Sequence, residues 1–529
     1  MPDPDLNGGG EPPLDRSEPA YSLGPCAHTR RDFLRVAGGA AGAGVAIGLT
    51  GCAASTAASR AASVKQLKAR RGGTLKGTSQ AFRSRPDLRP PEIRIDVPAK
   101  GVVPGVVLTD AHKGIGQQGG MILDRSGRML WWLPVSSSPN GQRVFNLRVQ
   151  SYKGQPVISW FVGVVVSAHG QGYYEIYDQR YQQVATVHAG NGYLGDLHEF
   201  VLTDQGTALF TCYGQATGEL PVPGGTRRGS YFYGVVQEVD VATGKVLFQW
   251  RSDQHVPLSA SYEPVPHNPA NTWDYFHVNA ISVDPADGNL IISSRNTWAI
   301  YKVQRRTGRV IWKLGGRDGD FKMGPNTQFA FQHDVTLYPG GMLTMFDNEG
   351  GPPREASQSR GLVLKIDEQR RRAELSRQFH HHPPVMSEAL GSLEPLSGGH
   401  WFMGWGASSY FTEYGARGQV LFDGRLGPGT NSYRAFKQSW TATPSAPPNV
   451  AVGRSGRTAI LYASWNGATE LGGWSVLGGS DPSRLSVVGV ADALGFETEI
   501  YVPQAPEYLA VQSLDPAGKV LATSASVAF

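Results

Sequence analysis

The sequence predicts an all-β protein, a six-bladed β-propeller followed by a small C-terminal β-sandwich. Three observations carry that expectation. Glycine (67) and proline (36) are abundant, and Trp, Tyr and Val recur in short runs, which is the composition of many strands joined by tight turns. A hairpin with an Asp- or Gly-containing turn, followed by an apolar strand that often ends in Trp, recurs six times: Asp124 to Trp131, Asp178 to Val184, Asp240 to Trp250, Arg305 to Trp312, Asp367 to Leu375 and Gly415 to Phe422. The copies are spaced by roughly 47 to 64 residues, the length of a four-stranded blade with some long loops; a β-helix would need shorter coils. Finally, His198, His277 and His333 each open an equivalent strand–turn–strand unit. Repeats packed around an axis bring equivalent positions together, so these distant imidazoles are expected to converge.

Residues 1–52 read as an address. Thr29-Arg30-Arg31-Asp32-Phe33-Leu34-Arg35 resembles a twin-arginine export signal, and the Gly/Ala stretch behind it is too short and too weakly apolar for a spanning helix. Leu49-Thr50-Gly51-Cys52 resembles a bacterial lipobox, which makes Cys52 the expected lipidation site and the outer face of the bacterial cytoplasmic membrane the expected location. Residues 53–76 read as a basic flexible tether, with Arg60, Lys65, Lys68, Arg70, Arg71 and Lys76 and no acid. Each such base near an anionic leaflet is worth about 1 kcal/mol and would reinforce a single lipid chain.

Formal net charge is +5; the charged side chains of residues 1–51 sum to −2, leaving +7 for the rest, of which the tether supplies six. The remaining chain is nearly neutral, so nucleic acid is not an expected partner. The three cysteines are Cys26 and Cys52 in the signal and a solitary Cys212, so no disulfide framework is expected.

The propeller is expected over 77–435. A proline-rich joint, Ser439 to Pro448, then leads to alternating strands such as Thr458 to Ala463 and Tyr508 to Ser513. Residues 436–529 are therefore read as the sandwich, similar to a fibronectin type III module and without obvious chemistry.

Innermost propeller strands start near the axis, which places His198, His277 and His333 at one end of the central channel. Arg295 ends the strand paired with His277's own. Imidazoles beside a guanidinium suit a tetrahedral oxyanion: Arg offers a fixed fork of donors, and His can attack, donate or accept near neutral pH. Transfer of such a group is expected to rely on positioning and electrostatics, and a histidine nucleophile would divide it into two steps.

Here the sequence resembles a known family. Asp274-Tyr275-Phe276-His277-Val278-Asn279-Ala280-Ile281, Asp287 to Asn296, Ile300 to Val303 and Gly308 to Gly316 look like the bacterial arylsulfate sulfotransferases, as do Phe331-Gln332-His333-Asp334 and Phe346-Asp347-Asn348. The likeness covers roughly 77–435. It implies transfer of a sulfuryl group from a phenolic sulfate ester to a phenolic acceptor through a sulfohistidine, without a nucleotide carrier or other cofactor. Carried over, His333 is the nucleophile; His198, His277 and Arg295 bind the sulfuryl oxygens, and one of these two histidines protonates the leaving phenolate. Asn146 and Gly391 stand where other blades carry histidine, so the acceptor wall departs from the pattern.

Two other readings stand beside this one. Three histidines can hold zinc with an open position, but a fixed cation at Arg295 opposes a divalent ion. A lipid-anchored propeller scaffold is the non-enzymatic alternative. His380-His381-His382 precedes Pro383-Pro384 and reads as loop, because adjacent residues cannot all face one ion. No Gly-x-x-x-x-Gly-Lys-Ser/Thr phosphate loop occurs, and no cysteine lies in a Cys-x-Pro-x-Arg context. Nothing in the sequence fixes the oligomeric state.

Overall fold

The computed structural model describes residues 64–529 apart from 77–78, 136–140, 269 and 351–354. The export motif and Cys52 lie outside these residues. Among the described residues the regular structure is β, interrupted by four single 3₁₀ turns, and no helix is long and apolar enough to cross a membrane.

Six antiparallel units follow one another along the chain. The first is Val106–Lys113, Gly119–Leu123 and Met129–Pro134, and the second Arg143–Tyr152, Gln155–Val166, His169–Tyr177 and Gln183–Val187. The third is Gly195–Leu202, Thr207–Gly218, Gly229–Asp240 and Val246–Arg251, joined to the second through the single pair Gly172 and Gly195. The fourth is Val278–Val283, Leu290–Ser294, Ala299–Val303 and Val310–Gly315. The fifth is His333–Tyr338, Met342–Asp347, Arg360–Asp367 and Arg372–Phe379, and the sixth Ser392–Pro395, Trp401–Gly404, Tyr410–Tyr414 and Val420–Leu426.

The recurrent turns are built by short polar side chains. Asp124 Oδ1 accepts from the backbone N–H groups of Ser126 and Arg128, and Asp178 Oδ1 from those of Arg180 and Gln182. This is why Asp recurs there: its carboxylate satisfies turn amides that the ladder cannot reach.

The opening strands of successive units touch. Gly195–Leu202 contacts Arg143–Tyr152 and Val278–Val283, which contacts His333–Tyr338, which contacts Ser392–Pro395. The series returns to its start through Ala435–Gln438, which contacts both Ser392–Pro395 and Arg143–Tyr152. Apolar wedges fill the gaps between neighbouring units. Ile300 and Trp312 of the fourth pack with Val335, Leu343 and Leu364 of the fifth, and Trp131 of the first with Ile158 and Trp160 of the second. The middle strands, such as Leu290–Ser294 and Ala299–Val303, are therefore buried along their whole length, as sheets covered on both sides require.

Two expected boundaries move. Ala435–Gln438 pairs with Val106–Lys113, so a sandwich beginning at residue 436 would cut through this strand; with Thr430–Asn431 it covers the first unit's edge. The tether expected over 53–76 is not flexible throughout, because Lys68–Arg71 is an edge strand on Glu497–Val502 and Thr74–Lys76 pairs with Ser79–Ala81. Leu67 is buried in the C-terminal core, and Glu497 accepts from Ser84, so burial and a polar clamp outweigh the local basic composition. Residues 53–63 lie outside the described set.

The C-terminal module consists of two antiparallel sheets. Asn449–Ser455, Thr458–Ser464 and Glu497–Val502 form one with Lys68–Arg71, and Gly473–Gly479, Ser486–Asp492, Tyr508–Leu514, Val520–Thr523 and Val527–Ala528 form the other. Leu461, Trp474, Val476, Ile500 and Val511 share one buried core between them.

Candidate functional site

The opening strands of the second to fifth units are each irregular at the same level. Register breaks fall between Phe145 and Arg148, Gly195 and Phe200, Val278 and Ala280, and His333 and Thr336. Asn146, His277 and Asp334 there have φ of 61°, 55° and 56°, and Leu390 and Gly391 have 71° and 106° at the sixth unit's entrance. Such bulges re-aim side chains at a sheet's rim, and left-handed non-glycine residues persist only where surrounding structure holds them. Backbone bonds hold His277: its carbonyl accepts from Arg295 N–H at 2.9 Å and Phe276's from Asn296 N–H at 3.2 Å.

His198 and His277 meet, with Nε2 atoms 3.1 Å apart. One of these nitrogens must therefore carry a hydrogen and the other a lone pair. Each ring's Nδ1 is held by a carboxylate, His198 by Asp196 Oδ2 and His277 by Asp274 Oδ2. Asp196 also accepts from His198 N–H at 2.8 Å, Thr211 Oγ1–H at 2.9 Å and Gly170 N–H at 2.5 Å.

His333 lies close enough for the charges of Arg295, Arg434 and His277 to act on it. Its Nδ1 bonds Asn348 Oδ1, whose orientation is fixed because Asn348 Nδ2 donates to the carbonyls of Ser387 at 2.7 Å and Leu390 at 3.0 Å. An amide oxygen can only accept, so Nδ1 carries the hydrogen and Nε2 presents its lone pair. That Nε2 is buried and has no hydrogen-bond partner among the described residues.

Gln332 and Asn279 set the approach of these strands. Gln332 Nε2 donates to Ser293 Oγ and Ser294 O at 3.0 Å, and Asn279 Nδ2 to Gln332 O at 2.8 Å.

Arg295 packs its guanidinium 4.8 Å from the centre of the Phe331 ring and donates through Nη1 to Asn296 Oδ1 at 2.8 Å. Its buried Nε has no hydrogen-bond partner among the described residues. Arg295, Asp274 and Tyr213 are half-buried while the three histidines are buried, so the cluster meets solvent on their side.

Burial and nearby cations keep the imidazoles neutral. Burial, then Arg295, Arg434 and His277, hold His333 well below the usual histidine range, and burial, then His277, Arg434 and His333, do the same to His198. For His277 burial outweighs the attraction of Asp274 and lowers it to about 4. Burial raises Asp196 to about 7; it also pulls Asp274 upward, but His277 and His169 overcome that and hold its carboxyl well below the ordinary value. The proton between Asp196 and His198 is thus shared by a raised acid and a lowered base.

All four expected site residues belong to this one cluster. Asp196, His169, Tyr213 and Arg434 stand outside the sequence motifs that mark the site, and Asp274 and Asn348 stand inside them without an assigned role. Acids two and three positions before His198 and His277 were the available signal. Tyr213 donates to Val278 O at 2.7 Å beneath the histidines. Arg434 immediately precedes Ala435–Gln438, the closing strand, and lies 3.5 Å from Asp334. It takes in the first unit the place of the histidines in the third to fifth.

Among the described residues the side chains that could share one ion are His169, Asp274 and His277, not the three expected histidines. Both rings already contact Asp274 Oδ2, the arrangement of donors sharing one acceptor rather than of ligands spread around an ion. Zinc ligands stand about 2.0–2.1 Å from the metal and hence farther from one another. The set fits proton sharing and does not fit a metal. His381 bonds Pro383 O at 2.8 Å and Asp423 Oδ2 at 3.3 Å, within its loop's packing.

Residues 148–427, more than half of the chain, match the family model described as Arylsulfotransferase (ASST). No curated protein matches. Among solved structures the chain is similar to a Bacteroides caccae protein of unknown function, at 10% identity and TM-score 0.39 over 63% of this chain and 99% of that one. It is also similar to the Pseudomonas aeruginosa periplasmic gluconolactonase, at 12% identity and TM-score 0.33 over 80% and 96%. At such scores neither carries an argument.

Proposed function

Because this chain belongs to the arylsulfotransferase family, we propose that it carries a sulfuryl group from a phenolic sulfate ester to a phenol in two half-reactions through a sulfohistidine at His333. The lone pair of His333 Nε2, buried, neutral and fixed in tautomer by Asn348, is the observation that carries the reading. In the first half-reaction Nε2 attacks sulfur as the bond to the phenolic oxygen breaks. The departing oxygen takes the hydrogen held between His198 and His277. In the second, the acceptor phenol returns a proton to that pair, its oxygen attacks sulfur, and the N–S bond breaks. Arg295, with an unused Nε–H, complements the equatorial oxygens on which charge accumulates.

The six units and their ring of contacts support a six-bladed propeller, closed by Ala435–Gln438, with a fibronectin type III-like module behind it. The motifs at Arg30-Arg31 and Cys52 support twin-arginine export and lipid anchoring at the outer face of the cytoplasmic membrane, with the basic residues beyond Cys52 adding attraction.

The test is to mix the protein with labelled aryl sulfate without acceptor and locate the label. We expect it on His333, discharged by phenol, with His333→Ala folded and inactive. Turnover abolished by a chelator would support the metal reading, and no turnover with any aryl sulfate the scaffold reading. Label on another residue, or a His333→Ala variant retaining most of its rate, would overturn the assignment.

A further inference from the structure

His169 lies outside the repeat positions, yet its Nε2 is 3.1 Å from the Asp274 oxygen that holds His277. It comes from the second unit, at the start of His169–Tyr177, across a two-residue turn from Gln155–Val166. That turn, Ser167-Ala168, has φ of 48° and 78°, the left-handed pair of a type I′ hairpin built without glycine. Such residues are disfavoured by roughly 1–2 kcal/mol each, so the surroundings hold a costly turn that fixes where His169 begins.

The ring is buried against Tyr213 at 3.8 Å and Phe232 at 4.6 Å between centroids, and lies 5.6 Å from His277. Asp274 reaches the same point from another direction, as Trp273–Asp274 pairs in parallel with Tyr231 and Phe232 on the third unit's long hairpin. Its Oδ2 bonds both imidazoles, while the buried Oδ1 has no hydrogen-bond partner among the described residues. The carboxylate is therefore held through a single oxygen, between two rings.

We infer that His169 is a positioning residue for leaving-group protonation, holding Asp274 so that His277 keeps its hydrogen on Nδ1 and its Nε2 lone pair holds the hydrogen of His198 Nε2 in place for the substrate oxygen. Without His169 the carboxylate loses its second donor and can swing away from Nδ1, and His277 loses the contact that fixes its tautomer. His333, held separately by Asn348, keeps its attacking lone pair. Bond breaking then depends more on how well the phenolate leaves unaided.

This inference rests on the sulfohistidine reading. The experiment measures single-turnover phenol release from aryl sulfates whose leaving groups range from 4-nitrophenol to unsubstituted phenol. It compares the full chain with His169→Phe, which fills the aromatic packing without a donor, and His169→Gln, which returns an N–H at the reach of Nε2. The expected result for His169→Phe is a loss of about 10- to 100-fold with phenyl sulfate but less than about threefold with 4-nitrophenyl sulfate, the scale of general acid catalysis or below. Gln should recover most of the loss. Equal losses on all donors, no loss, or failure of Gln to recover would overturn the inference. Absence of label on His333 in the unaltered protein would instead overturn the reading beneath it.

Discussion

Replacing Asn348 with Leu tests the nucleophile most directly. Asn348 Oδ1 is the acceptor for His333 Nδ1–H, and the amide's own hydrogens are committed to Ser387 O and Leu390 O. With Leu the side chain keeps much of its volume but offers no acceptor. A buried Nδ1–H without a partner costs about 1–3 kcal/mol. With the aryl sulfate bound, its sulfuryl oxygens can accept a hydrogen at Nε2, so His333 can avoid that cost by moving the hydrogen there, which extinguishes the attacking lone pair. At about 1.4 kcal/mol per decade, the reactive tautomer falls by roughly 5- to 150-fold. Single-turnover release of 4-nitrophenol at saturating donor should fall by that factor, with the donor concentration for half-saturation little changed. The two carbonyls also lose donors, so the assay must run below the variant's own thermal midpoint. A folded variant releasing product within twofold of the unaltered protein, or losing only donor binding, would show that Asn348 does not fix the tautomer.

The acid limb of kcat/KM should have its midpoint below 6.5, since burial and the charges of Arg295, Arg434 and His277 lower His333; protonation removes the nucleophile, so activity is lost as pH falls, and a midpoint at or above 6.5 contradicts the assignment. Arg295→Lys retains charge but not the fork of donors or the packing on Phe331, and steady-state kinetics should register a loss of about 10- to 100-fold in kcat/KM; unchanged kinetics would remove Arg295 from transition-state binding. Trp474→Ala empties the C-terminal core and should cost about 3–5 kcal/mol in denaturant unfolding of that module, while sulfate turnover below the transition persists; loss of turnover at low temperature would mean the module supports the site.

The convergence of His198, His277 and His333 was legible because each holds a repeated position and a strand–turn–strand period of this length implies it, and Arg295 because it ends the strand paired with that of His277. Asp274 and Asn348 were visible as letters but not as partners, because three and fifteen residues of separation do not say which ring nitrogen faces them. Arg434 escapes the repeat because its strand completes the first unit from the far end of the chain, which breaks the regular interval. His169 is legible only in three dimensions, since its place depends on a hairpin turn and on a carboxylate carried by a neighbouring unit. The same cause moved the tether boundary: a stretch that looks basic and loose, Lys68–Arg71, becomes a strand when Glu497–Val502 offers it an unpaired edge.

The order of residues by itself determined the all-β character, the positions of the turns and which imidazoles stand at equivalent points, because local propensity and period are properties of neighbours along the chain. Only the tertiary structure decided where the protons reside. A tautomer is set by the group opposite each nitrogen, and Asn348, Asp196, Asp274 and His169 reach those places through strands paired across the fold.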